Sequence, residues 1–110
     1  MRMWMVDPKI LCRQHLLGEH NELHMLVGAL EKGQSIEGYV TNGLVDTSKI
    51  TPRHNELVAE MEARNYMHHS PLDFTHSDPV GEVSIQNNLD ELERRCVRCK
   101  QRIGNLIKGW

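Results

Sequence analysis

The chain has 110 residues, 39% of them hydrophobic, with two Trp, two Tyr and one Phe as its aromatic residues. That is room for one domain, 1–110, with a modest core of Leu, Ile, Val and Met, and the composition suggests a small helical protein. A formal net charge of −2 argues against indiscriminate nucleic-acid binding. No apolar run approaches the roughly 20 residues of a membrane span, and residues 1–6 lack the apolar region of a signal peptide. A cytoplasmic protein with no membrane partner is expected.

The chain opens Met1-Arg2. A bulky Arg at the second position hinders methionine aminopeptidase, so Met1 is expected to persist with a free α-amine. Such an amine titrates at about pH 7.7–8, against about 10.4 for a lysine, so a useful fraction is nucleophilic at neutral pH. Paired with a carboxylate, it can form a Schiff base with a sugar aldehyde.

Asp7-Pro8 reads as an N-cap followed by proline at the first helical position. Apolar residues from Ile10 to Leu30 then recur at helical spacing until Lys32-Gly33, a basic last turn and a stop signal. Gly18 is a point where this long helix can bend, or where a ligand can approach Glu22 one turn later. His15, Glu19 and Glu22 lie along one side of the helix, and His15 and Glu22 are nearly in register. His20 and His24 have the i, i+4 spacing of a chelating pair, but His20 points about 140° away from His15. A metal there needs further ligands from His54, His68, His69 or His76, and the seven histidines are read as packing or surface residues. No metal and no cofactor are expected.

Residues 33–50 are rich in glycine and small polar residues, and Asn42-Gly43 between Tyr39-Val40 and Leu44-Val45 suggests a short hairpin. Thr51-Pro52 repeats the cap-then-proline signal and opens a second helix to about Asn65. Residues 67–83 read as an irregular surface connection. A last helix starts between Ser84 and Asn88 and runs to about Lys108. Its stripe Leu92, Cys96, Cys99, Ile103, Leu106 has core-packing periodicity. The CxxC of Cys96 and Cys99 has no second CxxC or matching His pair nearby. With Cys12 it makes an odd number of cysteines, so the three are read as reduced thiols, and the CxxC pair as small buried hydrophobes. Residues 94–110 carry six basic side chains and no acid, with Arg95, Arg98 and Arg102 on one helix face. They form either a phosphate-facing strip or a solvated surface.

The run from Gln14-His15-Leu16 through Glu22-Leu23 to Val27-Gly28-Ala29 resembles the pyrimidine-dimer DNA glycosylase family. So do the start Met1-Arg2, the segment Arg53–Asn65 and the segment Ser84–Arg102. The likeness rests on order and spacing. It implies an all-α, compact single-layer bundle of about three helices, with the N-terminal segment threading between them to bring the α-amine to the catalytic glutamate. By this resemblance Met1 supplies the amine that attacks the sugar C1′ of a damaged nucleotide in double-stranded DNA. Glu22 stabilises the cationic sugar and moves protons. The base departs, and the imine undergoes the β-elimination of an AP lyase. Arg2 and Gln14 match DNA-contacting positions, and Lys108 and Trp110 match a basic, aromatic tail that meets the lesion. His15, Lys32, Arg95, Arg98 and Arg102 complete the expected DNA surface. Asn21 and Met25 stand where the family has arginines and His24 where it has a proline, so fewer phosphate contacts are expected. The resemblance further implies a cytoplasmic monomer, of a bacterial cell or a phage-infected host. Two other readings stand beside it: a nonenzymatic helical nucleic-acid-binding protein using the basic strip, and a small metal-dependent hydrolase built on the histidines.

Overall fold

Asp7 and Pro8 do start a helix, but only one turn of it. The computed structural model describes residues 1–67 and 70–108, with backbone alone for 107 and 108. In it Asp7 accepts a hydrogen bond from the Lys9 N–H at 3.0 Å, capping a 3₁₀ turn over Pro8–Ile10, after which Leu11 is extended. The predicted continuous helix breaks here because its carbonyls are taken by another element: the Arg64 guanidinium donates to the carbonyls of Pro8 at 3.1 Å and Leu11 at 2.8 Å. Helix α1 then spans Arg13–Glu31 and runs straight through Gly18. Its buried stripe, Leu16, Leu23, Leu26 and Val27, faces the core, as the periodicity predicts.

Three successive helices stop by the same device. At the end of α1, Gly33 is left-handed (φ 69°), its N–H bonds Leu30 O at 3.1 Å, and the Gln34 N–H bonds Ala29 O at 2.9 Å, a Schellman motif. Asn42-Gly43 repeats it at the end of a short helix α2, Glu37–Thr41, with Gly43 N–H to Val40 O at 3.1 Å and Leu44 N–H to Tyr39 O at 2.9 Å. The predicted hairpin is therefore absent, since the left-handed glycine that suits a hairpin turn equally suits a helix stop. Helix α3, Ile50–Ala63, ends on left-handed Asn65 (φ 63°) in the same way. Thr51 sits inside α3 rather than capping it. Its hydroxyl donates to Phe74 O at 2.7 Å and accepts from the Phe74 N–H at 2.9 Å, pinning the irregular connection to the helix.

That connection passes close to residues 45–47. A Cβ on Gly81 (φ 95°) would lie 2.1 Å from Val45 O, so no other residue fits there. Ser84 caps α4, Ile85–Arg95, through the Asn87 N–H at 3.2 Å. The predicted last helix is in fact two. Cys96 is extended (φ −127°, ψ 107°), and α5 restarts at Val97–Lys108. Among the described residues the protein is all-helical, with five α-helices where about three were predicted. The core joins Met3, Trp4 and Val6 of the N-terminal segment to Leu11, Leu16, Leu23, Leu57 and Leu92. Full burial of each such apolar side chain is worth about 1.5–3 kcal/mol.

Candidate active site

The N-terminal segment is held inside the helical frame by its own backbone groups. The Met3 N–H donates to Leu44 O at 2.7 Å. The buried Asn88 amide donates to the carbonyls of Met3 and Trp4 at 3.2 and 2.8 Å. Arg53 donates to Val6 O at 2.7 Å. Met5 between them is left-handed (φ 60°), at a cost to a non-glycine residue of roughly 1–2 kcal/mol, and the burial of its neighbours Trp4 and Val6 holds it there. This is the threading that the resemblance implied. It positions Arg2 so that its N–H donates to a Glu22 carboxylate oxygen at 3.2 Å.

Around that contact a cleft of about 210 Å³ is lined by Arg2, Trp4, Gln14, His15, Glu22 and Arg95, with Gly18 and Glu19 completing the α1 wall. Trp4 forms its floor. The Arg2 guanidinium lies 3.9 Å from the indole centroid and that of Arg95 5.3 Å, two cation–π contacts on one ring. Arg2 also donates to Asn88 Oδ1 at 2.8 Å. Burial, then the nearby Arg95, lower the Arg2 pKa, with Glu91 and Glu22 pulling the other way, and it stays a cation at any working pH. His15 meets Trp4 edge-on at 5.6 Å. Burial and Arg95 hold its pKa below the ordinary 6.5 against the pull of Glu22, so its imidazole is neutral at pH 7.

Glu19, one turn before Glu22 on α1, also borders the cleft, but its carboxylate has a different environment. It is sealed from solvent in a two-point ion pair with Arg53, with N···O distances of 2.6 and 2.8 Å. Sequence reasoning missed Arg53, Asn88 and Trp4. All three act on the N-terminal segment from elements far along the chain or from within the segment, where periodicity is silent.

The predicted residues do not form one surface. Arg2, Gln14, His15, Glu22 and Arg95 line the cleft, and Met1, half-buried, adjoins Arg2 in sequence. Lys32 lies at the far end of α1, about 27 Å along the helix from Gln14. The basic strip is interrupted, because the break at Cys96 separates Arg95 from Arg98 and Arg102. The latter two border a separate groove with Arg13, Arg64 and Tyr66, and Arg102 donates to Lys9 O at 2.8 Å. The Lys108 side chain and Trp110 lie outside the described residues.

Two clusters bring together residues that the sequence keeps apart. His54 of α3 joins His20 and His24, with ring centroids 4.8–5.1 Å apart. Cys12 and His15 meet Cys96 and Cys99, so the predicted pair of small buried hydrophobes is part of a polar cluster. Burial pushes the Cys99 thiol up to about 12, whereas Cys96, against its own burial, is lowered by hydrogen bonds from Cys99 and Cys12.

Neither a curated protein nor a solved structure matches the chain. Residues 1–74 match the family model for pyrimidine dimer DNA glycosylase, a span that holds the threaded N-terminus and Glu22 and stops short of Asn88 and Arg95. The chain belongs to the pyrimidine dimer DNA glycosylase family, and its substrate is DNA.

Proposed function

We propose that this protein excises a damaged base from double-stranded DNA and cleaves the resulting abasic sugar as an AP lyase, with the Met1 α-amine as nucleophile and Glu22 as its partner. The observation that carries this reading is the hydrogen bond from the Arg2 N–H to Glu22. Three covalent bonds separate that nitrogen from the α-amine, which keeps the amine within about 7 Å of the carboxylate.

A nucleotide turned out of the stack exposes its C1′ to the cleft. The neutral amine attacks C1′, the C1′–N bond to the base breaks, and the base leaves with a proton. Glu22 stabilises the positive charge that develops on the sugar. Ring opening, with protonation of O4′, gives the imine. Removal of a C2′ proton by Glu22 then expels the 3′ phosphate by breaking C3′–O, and water hydrolyses the imine to restore the amine. Glu19 takes no part, because Arg53 holds both its oxygens. Arg2, Arg95 and Gln14 at the rim suit phosphate contacts, with Arg98, Arg102 and Lys32 further out.

Borohydride trapping with a pyrimidine-dimer duplex and an abasic duplex tests the reading, using protein that ends at Met1. A reduced covalent adduct is expected. Acetylation of the amine, or one extra residue ahead of Met1, should abolish it. Undiminished trapping by the blocked protein overturns the assignment of the nucleophile, and absence of any adduct favours a nonenzymatic DNA-binding protein.

A further inference from the structure

Cys12 and His15 are three residues apart at the start of α1, and Cys96 and Cys99 are three apart across the α4–α5 junction. More than eighty residues of sequence separate the two pairs, yet their ligand atoms all lie within 4.8 Å of one another. Cys12 Sγ is 3.2 Å from His15 Nδ1 and 3.9 Å from Cys96 Sγ, and Cys99 Sγ is 3.5 Å from the same imidazole nitrogen. A tetrahedral zinc ion with Zn–S of about 2.3 Å and Zn–N of about 2.05 Å has edges of about 3.8 Å between sulfurs and about 3.6 Å from sulfur to nitrogen. The three spacings of 3.2, 3.5 and 3.9 Å lie within about 0.4 Å of those edges.

Two backbone N–H groups already point at the sulfurs. The Cys12 N–H donates to Cys99 Sγ at 3.3 Å and the Cys99 N–H donates to Cys96 Sγ at 3.4 Å. Cys12 is the N-cap of α1 and Cys96 immediately precedes α5, so the positive ends of two helix dipoles converge on the sulfurs. Three soft sulfurs with one imidazole select zinc over hard cations, and four protein ligands fill its coordination, which is the mark of a structural site.

We infer that Cys12, His15, Cys96 and Cys99 form a structural zinc site that ties the start of α1 to the α4–α5 junction. Binding converts three thiols to thiolates, makes three Zn–S bonds and one Zn–N bond, and releases three protons. The break at Cys96, costly in an otherwise helical run, is what turns both sulfurs of the CxxC toward α1. His15, expected at the DNA, becomes a metal ligand that holds Trp4 and so braces the cleft without touching substrate. Cys96 and Cys99 lie beyond the residues that match the family model, so the match itself does not account for the site.

Metal content decides the matter independently of excision activity. The untagged full-length protein, purified reduced and without chelator, should carry one zinc per chain that is released as a mercurial titrates its three thiols. Cobalt in its place should give thiolate-to-cobalt charge-transfer absorption and tetrahedral ligand-field bands. Cys96→Ser, at the half-exposed sulfur, should weaken binding by more than the 10- to 100-fold (about that range) typical of second-shell changes. His15→Cys should keep one zinc with a shifted cobalt spectrum, which guards against a serine variant that fails to fold. Cobalt uptake without thiolate charge transfer would assign the metal to the histidine cluster and overturn the inference. So would thiols that react fully without releasing metal, or a Cys96–Cys99 disulfide in the folded protein.

Discussion

Glu19 and Glu22 lie one turn apart on α1, and their surroundings divide the helix into a structural and a chemical region. Glu19 points into the interior, where both oxygens meet Arg53 and solvent is excluded. Glu22 is half-buried at the edge of an open cleft and takes the N–H of Arg2. A carboxylate whose oxygens are locked by a buried guanidinium has nothing left to give a substrate. One that accepts a single backbone N–H at the edge of an open cleft does. The same residue type on the same side of one helix thus serves the fold in one place and the proposed chemistry in the other, and only the partner residue decides which.

The sharpest way to break this contrast is Arg53→Ala. It strands a charged Glu19 in the core and removes the donor to Val6 O, so a loss of about 3–5 kcal/mol in urea unfolding is expected. A loss under about 1 kcal/mol would mean that the interior pair is not structural. Next comes Glu22→Gln, which still accepts the Arg2 N–H but removes the charge. Single-turnover excision should fall by about 10²- to 10³-fold, while stability changes by no more than about 0.5 kcal/mol. Excision within a few-fold of wild type would make Glu22 an ordinary surface glutamate. The smallest effect sharpens the edge of the cleft. An alanine Cβ at Gly18 meets nothing within 4 Å, so Gly18→Ala should stabilise α1 by up to about 1 kcal/mol. If DNA packs against that spot, as the cleft geometry suggests, binding of a lesion duplex by fluorescence anisotropy weakens even as stability rises. Unchanged binding would move the DNA path away from Gly18.

Much of α1 and α3 was legible because amphipathic periodicity and end signals are local. The Lys32-Gly33 stop holds to the residue, and the buried stripe of α1 faces inward as its spacing requires. Where the reading failed, a side chain distant in sequence had captured the local signal. Arg64 took the carbonyls of Pro8 and Leu11 and shortened the first helix to a turn, and Phe74 took the hydroxyl of Thr51. Asn42-Gly43 failed for another reason: a left-handed residue is shared by hairpin turns and helix stops, so the dipeptide is ambiguous until its flanks are seen to be helical.

The candidate site divides along the same line. Met1, Arg2 and Glu22 were grouped from their order and spacing, and the Arg2 N–H does meet Glu22, since the N-terminal segment and the helix that carries the acid are near neighbours in sequence. Asn88, Arg53 and Arg95 contribute from α3 and α4, and no local pattern marks a residue that will clamp a strand of backbone far along the chain. The basic strip was drawn on one continuous helix, so the break at Cys96 was enough to divide it.

By itself, then, the sequence determined an all-helical chain and the apolar faces of its longer helices, because each follows from spacing within one or two neighbouring segments. Tertiary structure alone decided which glutamate is locked and which is open, and that Cys96 and Cys99 meet Cys12 and His15. Those outcomes depend on which side chains arrive from twenty to eighty residues away to meet a buried charge or a sulfur, and burial in a low-dielectric interior makes the identity of that partner decisive.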